Sequence, residues 1–494
     1  MINSDEGILA ILGSAVFLLA VATEMLSRRG ILPQWFCRKL LHISAVGACA
    51  IAPLWLQDLT VLRWMVALVL PLLLYLVATG RLFSEANGRR SWGIVWFTVA
   101  YLLLLIFAKD RVFIIVPMAI LALSDAAAAI VGQLFARRFF QLTGDRKSLI
   151  GSFAFLVTTV IVIWASQYIF PERWIFMDGL PNMLKANLAD HWVWAKVGFV
   201  VLLLTAIEAL GSNGFDNLLI PLAAALLLPR SLHESTNMDI AELWIGVGVA
   251  LVFVWFTVRR KALSWDGAIA AAVMGLWVLF FAGKYLLLPL IFFFVSSTLI
   301  GKLTKRQAIV SDTKHGKARD YRQVLCNGGI YAVLSTFVSM PSEMAMIVSL
   351  AVSTADTWAS EIGIYFRGRT YDIWRWRPTP VGLSGGISWA GTLGGLAGAA
   401  ATTIVSFASF GFEMTIVAVL AFTAVGFLGM LLDSVLGATL QARYRNEETG
   451  AFTDIPTNIL HSGYPWMSND AVNLLSNILT VVASFLLIWY FLFK

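Results

Sequence analysis

Residue types able to do chemistry gather in short polar segments of an otherwise very apolar chain. Four such segments lie in the first half. Arg38 and Lys39 shortly precede His42. Ser124-Asp125 is followed by four alanines, Ile130, Val131 and Gly132. Lys147-Ser148 comes just before Gly151-Ser152. Glu208 precedes Gly211, Asp216 and Asn217. A charged group at the centre of a membrane helix costs about 3 kcal/mol or more, so Asp125 and Glu208 are functional candidates. The small residues around Asp125 let a phosphate or another backbone approach closely. Carboxylates for a divalent cation, with lysines and backbone N–H groups for phosphate, form the inventory that holds a nucleoside triphosphate and Mg2+.

A second set appears after about residue 260. Asp356 stands seven residues before Gly363, the same interval as Asp125 to Gly132, with Glu361 between them. Gly385-Gly386 and Ser388 follow, then Asp433 in a Leu-Asp-Ser-Val-Leu-Gly segment. Lys302, Lys305, Arg306 and Arg322 precede them, and residues 302–322 carry seven Lys or Arg, the densest such run. Glycine runs in membrane helices commonly serve packing, and isolated cations anchor helix ends. Ion pairing alone is a poor account of Asp356, Glu361 and Asp433 together.

The elements that must position these residues follow from composition. The chain has 494 residues, 59% hydrophobic and only 13% charged, with a mean hydropathy of +0.80. A soluble protein is about 25% charged, so soluble, disordered and fibrous classes are excluded. An all-α polytopic integral membrane protein remains. Apolar runs predict about 16 transmembrane helices, at about 20 residues each. They lie near 7–25, 41–57, 60–79, 92–108, 112–132, 149–168, 193–210, 216–229, 241–258, 266–283, 284–301, 322–339, 341–363, 383–408, 413–432 and 471–492. Arg63 falls within a span and is expected to snorkel or face protein. Most Lys and Arg fall on alternate loops, which predicts both termini outside and every polar segment above on the cytoplasmic face. The net charge of +7 is thus a topological signal rather than a nucleic-acid one. Cys37, Cys49 and Cys326 have no spacing typical of a disulfide framework or zinc site.

The first half resembles the phytol kinase and dolichol kinase family of CTP-dependent membrane kinases. The RKxxH start and the SDxxAxxxG, KSxxGS and EAxxxxGxDN segments carry the likeness, in family order. Ile150 departs from it, standing where many relatives have Glu. The second half resembles the phytyl-phosphate kinase family through its ADTWASEIG, VxxGxSGGxS and LDSxLGAxxQ segments. The resemblance implies a bifunctional enzyme. Residues 1–230 would phosphorylate an isoprenoid alcohol such as phytol. A connecting span, 231–258, would lead to residues 259–494, which would convert the monophosphate to the diphosphate. Mg2+ and CTP, or another nucleoside triphosphate, are the implied cofactor and donor. The expected metal ligands are Asp125, Glu208 and Asp216 in one half and Asp356, Glu361 and Asp433 in the other. Expected phosphate ligands are Arg38, Lys39, Gly132, Lys147, Ser148, Gly151, Ser152 and Asn217, then Lys302, Lys305, Arg306, Arg322, Gly385, Gly386 and Ser388. The base for the alcohol would be His42 or Asp125. A lipid transporter and a cytidylyltransferase of the CDP-diacylglycerol synthase type are the alternatives. No nucleic-acid partner is expected.

Overall fold

The computed structural model describes residues 4–80, 92–170, 191–232, 239–304, 318–445, 452–454 and 459–492. Sixteen helices are present among them, and twelve are long and apolar enough to cross a membrane. The protein is a multi-pass helical membrane protein. It divides into two compact units, Met1–Trp244 and Ile245–Lys494.

The first unit contains α1 (Asp5–Arg28), α2 (Gln34–Trp55), α3 (Thr60–Ala78), α4 (Gly93–Phe107), α5 (Val112–Phe135), α6 (Leu149–Ile169), α7 (His191–Leu210) and α8 (Asp216–Leu232). Helix α5 is the axis of the unit and packs against α2, α6 and α8. It is interrupted by a π-helical turn at Ile120–Ser124, within one turn of Pro117. Proline removes a backbone donor, and a π turn inserts one extra residue. The insertion shifts the helical phase of everything after it, beginning with Asp125. Arg63, inside α3, donates from Nε to Leu105 O at 2.7 Å, so it faces protein as expected.

Helix α9 (Ile240–Arg259) spans the division at residues 244 and 245. The second unit continues with α10 (Trp265–Ala282), α11 (Leu287–Thr304), α12 (Tyr321–Ser335), α13 (Met340–Phe366), α14 (Trp389–Phe410), α15 (Ile416–Thr439) and α16 (Asn469–Leu492). Here α13 is the axis, packed against α11, α12, α14, α15 and α16. Gly394 and Gly398 of α14 lie against Ile362, Thr354 and Trp358 of α13. Gly426 and Gly429 of α15 lie against Ala351 and Val352. Small residues bring these backbones close, as membrane interfaces require.

The span expected at 383–408 begins later, at Trp389. Residues 383–388 are drawn into a small cap of β-structure, and Ser388 closes the helix by accepting from Gly391 N. In that cap β1 (Tyr371–Asp372) pairs antiparallel with β2 (Gly386–Ile387). Strand β3 (Arg443–Arg445) lies between β4 (Phe452–Thr453) and β5 (Ile459–Ser462).

The two units share an internal pattern. Several helix pairs of α4 to α8 recur in α12 to α16: α5 on α6 as α13 on α14, α7 on α8 as α15 on α16, and α8 on α4 and α5 as α16 on α12 and α13, while α13 also packs on α15.

Candidate functional site

In the first unit the polar segments converge on one cleft. Lys39 and His42, three residues apart on α2, share a helix face. Lys39 Nζ donates to Asp125 Oδ2 at 3.0 Å, and His42 Nε2 lies 3.6 Å from the same oxygen. Two turns along α5, Gly132 meets the start of α6. A Cβ on Gly132 would stand 2.9 Å from Ser148 Oγ, and one on Gly151 would stand 2.7 Å from Ala128 O. These glycines let the N-terminus of α6 lie flush on α5. Ser148 caps it by accepting from Gly151 N at 3.1 Å.

Lys147, just before that cap, reaches inward. Its ammonium donates to Glu208 Oε1 at 2.7 Å, to Asp216 Oδ2 at 3.4 Å and to the Glu208 carbonyl. Ser152 Oγ donates to Glu208 Oε2 at 3.4 Å. The Lys147 and Glu208 side chains are 12% and 6% exposed, so neither charge is left to water. Burial by itself would lower the Lys147 pKa. Asp216 and Glu208 beside it hold the group above the usual lysine range, and it stays charged. The cleft encloses about 250 Å³ and is lined by Lys39, Asp125, Gly132, Lys147, Ser148, Gly151, Ser152, Glu208 and Asp216, all expected from sequence. It also takes in Gln133, Phe139 and Arg146, with the Arg146 guanidinium 5.0 Å from the centre of the Phe139 ring. Position beside Lys147 was the only sequence signal for Arg146. Arg38 is exposed. Asn217 holds α8 on α4 by donating to Gly93 O at 3.1 Å.

The second unit repeats the cradle. Gly363 faces Ser388 and Gly391, and a Cβ on Gly391 would stand 2.8 Å from Ala359 O. Ala128 and Ala359 each stand three residues after an aspartate, and Gly132 and Gly363 each seven. Ser148 and Ser388 cap the next helix identically. Asp356 thus corresponds to Asp125. One helical turn before it, Val352 lies against Gly429 of α15, itself one turn before Asp433, so the packed helices bring the two aspartates to the same level. Asp433 is 9% exposed and accepts from Ser476 Oγ at 2.8 Å. Asn473, with its amide nitrogen turned to the acceptors beside it, donates to Asn469 O and to Asp433 Oδ2 at 3.3 Å. Asn477 donates to Ser349 O and Ser353 Oγ.

Glu361 does not join the two aspartates. Five residues along a helix is about 140° around it, and Glu361 instead accepts from Thr304 Oγ1 of α11 at 2.7 Å against Gly301. Among the described residues, no three His, Cys, Asp or Glu groups converge on one point in either unit. The expected three-acid sets are therefore not preassembled, because lysines separate the first and helix phase divides the second. Lys302 is exposed. Arg322 lies over the ring of its neighbour Tyr321 and donates to its hydroxyl. Lys305 and Arg306 lie outside the described residues.

Gly385 and Gly386 have a packing role. Gly385 has φ +78°, and a Cβ there would meet the backbone of Ala438 at 2.6 Å. The Gly386 N–H donates to Leu383 O. Their loop is fastened by a buried network. Arg443 bonds Asp372 Oδ2 at 3.0 Å and Ser384 O at 2.6 Å. Ser384 Oγ accepts from Gln441 and donates to Asp454, both at 2.6 Å.

Comparison with known proteins agrees with a membrane family. A family model described as integral membrane protein DUF92 matches residues 248–481. Protein PGR of Arabidopsis thaliana is 31% identical over 276 residues, covering 48% of this chain and 93% of that protein. An uncharacterized membrane protein of Methanocaldococcus jannaschii is 30% identical over 237 residues, covering 46% and 97%. The phytol kinase of Synechocystis sp. is 28% identical over 237 residues, covering 43% and 88%. No solved structure matches. With the model over the second unit and two relatives covered almost end to end, the chain belongs to the DUF92 family of integral membrane proteins.

Proposed function

We propose that the protein is a membrane phosphotransferase that makes an isoprenyl diphosphate in two CTP-dependent steps. The first unit phosphorylates an isoprenoid alcohol such as phytol, and the second phosphorylates the resulting monophosphate. The observation that carries this reading is the cleft holding Lys39–Asp125 beside Lys147–Glu208–Asp216, in a chain with a phytol kinase among its relatives.

Phosphoryl transfer asks mainly for positioning and charge stabilisation. In the first unit Lys39, Arg146 and Lys147 supply positive charge, and the capped start of α6 supplies backbone donors beside Ser148. The alcohol oxygen attacks the γ-phosphorus as the bond to the β-phosphate oxygen breaks, releasing CDP. The hydroxyl proton passes to Asp125 or to His42, which stand together. In the second unit Asp356 and Asp433 take the corresponding place. Mg2+ suits these sites, because carboxylate and amide oxygens are hard donors and Mg2+ needs only one or two carboxylates beside the phosphates. Bound there it would neutralise charge developing on the phosphates. A tail of about 20 carbons stays in the bilayer while the nucleotide is met from water, on the cytoplasmic side in this reading.

The test is a product assay with purified protein, phytol and CTP labelled in turn at the γ- and α-phosphates. Transfer of the γ-label into phytyl mono- and diphosphate is expected. Transfer of the α-label would instead mark a cytidylyltransferase, and transfer of neither would remove the enzyme reading. Asp125→Asn should block the alcohol step yet still consume supplied phytyl monophosphate, whereas Asp356→Asn should stall at monophosphate. Normal diphosphate from Asp356→Asn would sink the division of labour.

A further inference from the structure

The two cradles match in backbone but differ in charge. In the first unit the residue before the capping serine is Lys147, whose ammonium lies between Glu208 and Asp216, while Lys39 covers Asp125. In the second unit the residue before the capping serine is Ile387. Among the described residues no Lys or Arg forms an ion pair with Asp356 or Asp433. The partners of Asp433 are neutral groups, the Ser476 hydroxyl and the Asn473 amide. Ser476 already donates to Asp433. One residue on, Asn477 is 1% exposed and keeps its carbonyl Oδ1 without a partner. Two neighbouring carboxylates sheltered from water, Asp433 buried and Asp356 half-buried, repel each other unless a cation or a proton stands between them.

We propose that the Asp356–Asp433 pair binds a divalent metal ion in the absence of nucleotide, and that Lys147 and Lys39 supply the equivalent positive charge in the first unit and compete with metal there. One chain would then hold one tight and one weak metal site on similar cradles. The inference takes its candidate metal from the phosphotransferase reading, but its test does not need that activity.

The probe is Mn2+ added to detergent-purified full-length protein without nucleotide, with free Mn2+ followed by its six-line electron paramagnetic resonance signal. The unmodified protein should bind one Mn2+ per chain. Asp433→Asn should weaken that site by at least about tenfold, the size of loss seen even for outer-shell partners of a metal. Asp216→Asn should leave it in place. Lys147→Met should add a second saturable site. Its absence in a monodisperse Lys147→Met protein would overturn the competition by lysine. The absence of saturable binding to the unmodified protein, or its survival in Asp433→Asn, would overturn the metal assignment. Mn2+ binding without phosphoryl transfer would remove the phosphotransferase reading alone. Phosphoryl transfer without nucleotide-free binding would remove this inference alone.

Discussion

The serine–glycine cradle gives the most direct test of how the two units are built. Gly151→Ala places a methyl group 2.7 Å from Ala128 O and 2.9 Å from Ser148 Oγ. The first is backbone of α5 and cannot rotate away. The second is the hydroxyl that caps α6 through Gly151 N. Relief of the first requires separating α6 from α5, and relief of the second requires giving up the cap, so both costs are met. Overpacking costs about 1–3 kcal/mol and a lost cap about 1 kcal/mol, so a loss of about 2–4 kcal/mol is expected. Gly391→Ala meets Ala359 O at 2.8 Å and Ser388 Oγ at 3.1 Å, so its loss should be similar or slightly smaller. Gly275→Ala in α10 is the control. Nothing lies within 4 Å of the added carbon, and alanine favours a helix by about 1 kcal/mol over glycine. Thermal unfolding in detergent, followed by a thiol-reactive dye, would use the Cys37, Cys49 and Cys326 thiols, none in a disulfide, as reporters. For units of this size the cradle variants should melt roughly 5–15 °C lower. If Gly151→Ala melted like Gly275→Ala, the close approach of α6 to α5 would be wrong, and the correspondence between the units would lose its main support.

The other predictions concern charge. Lys147→Met strands Glu208 and Asp216 in a buried setting and should cost about 3–5 kcal/mol, with Lys147→Met/Glu208→Gln recovering part of the loss in the same melting assay. Arg443→Met should destabilise the second unit by about 3 kcal/mol through the buried Asp372 it leaves behind, detected as easier proteolysis of the cap around residues 367–388. Burial alone would raise the Asp372 pKa, but the Arg375 N–H and the Arg443 guanidinium hold its carboxyl below the usual range. Its contribution is therefore present above the unfolded value near pH 4 and lost as pH falls through the lower folded value. Asp372→Asn should flatten that acid dependence of melting.

The spans were legible because burial in lipid demands long apolar helices with every backbone group paired internally. Asp125, Lys147, Glu208 and Asp216 were legible for the converse reason, since charge is conspicuous where it is expensive. Contacts across the fold were less accessible. The interval from Asp125 to Gly132 and from Asp356 to Gly363 could be seen, but its purpose depends on Ser148 and Ser388, which follow at different distances along the chain. Glu361 looked equivalent to Asp356 by composition, and only helix phase sends it to Thr304. Gly385 and Gly386 resembled a phosphate loop, and what the sequence could not show is the close approach of Ala438 to the first and of Thr370 to the second, which leaves no room for a Cβ at either. The polar face of α16, with Asn473, Ser476 and Asn477, left a periodic signal that an apolar-run criterion does not register.

The charge difference between the cradles has a chemical sense under the proposed two-step reaction. An alcohol is neutral, so the first unit must balance only the nucleotide, and its fixed lysines supply part of that charge. An isoprenyl monophosphate brings its own negative charge to a site with two carboxylates, the half-buried Asp356 and the buried Asp433. Fixed acids and an anionic acceptor can share that space only if a counter-charge arrives with the substrates or before them. A metal ion held by Asp356 and Asp433 meets this need, since it adds two positive charges at the point of greatest repulsion. The second step should therefore depend more steeply on divalent cation than the first. If phytyl monophosphate formation required as much Mg2+ as its conversion to diphosphate, the lysines of the first unit would not be substituting for metal.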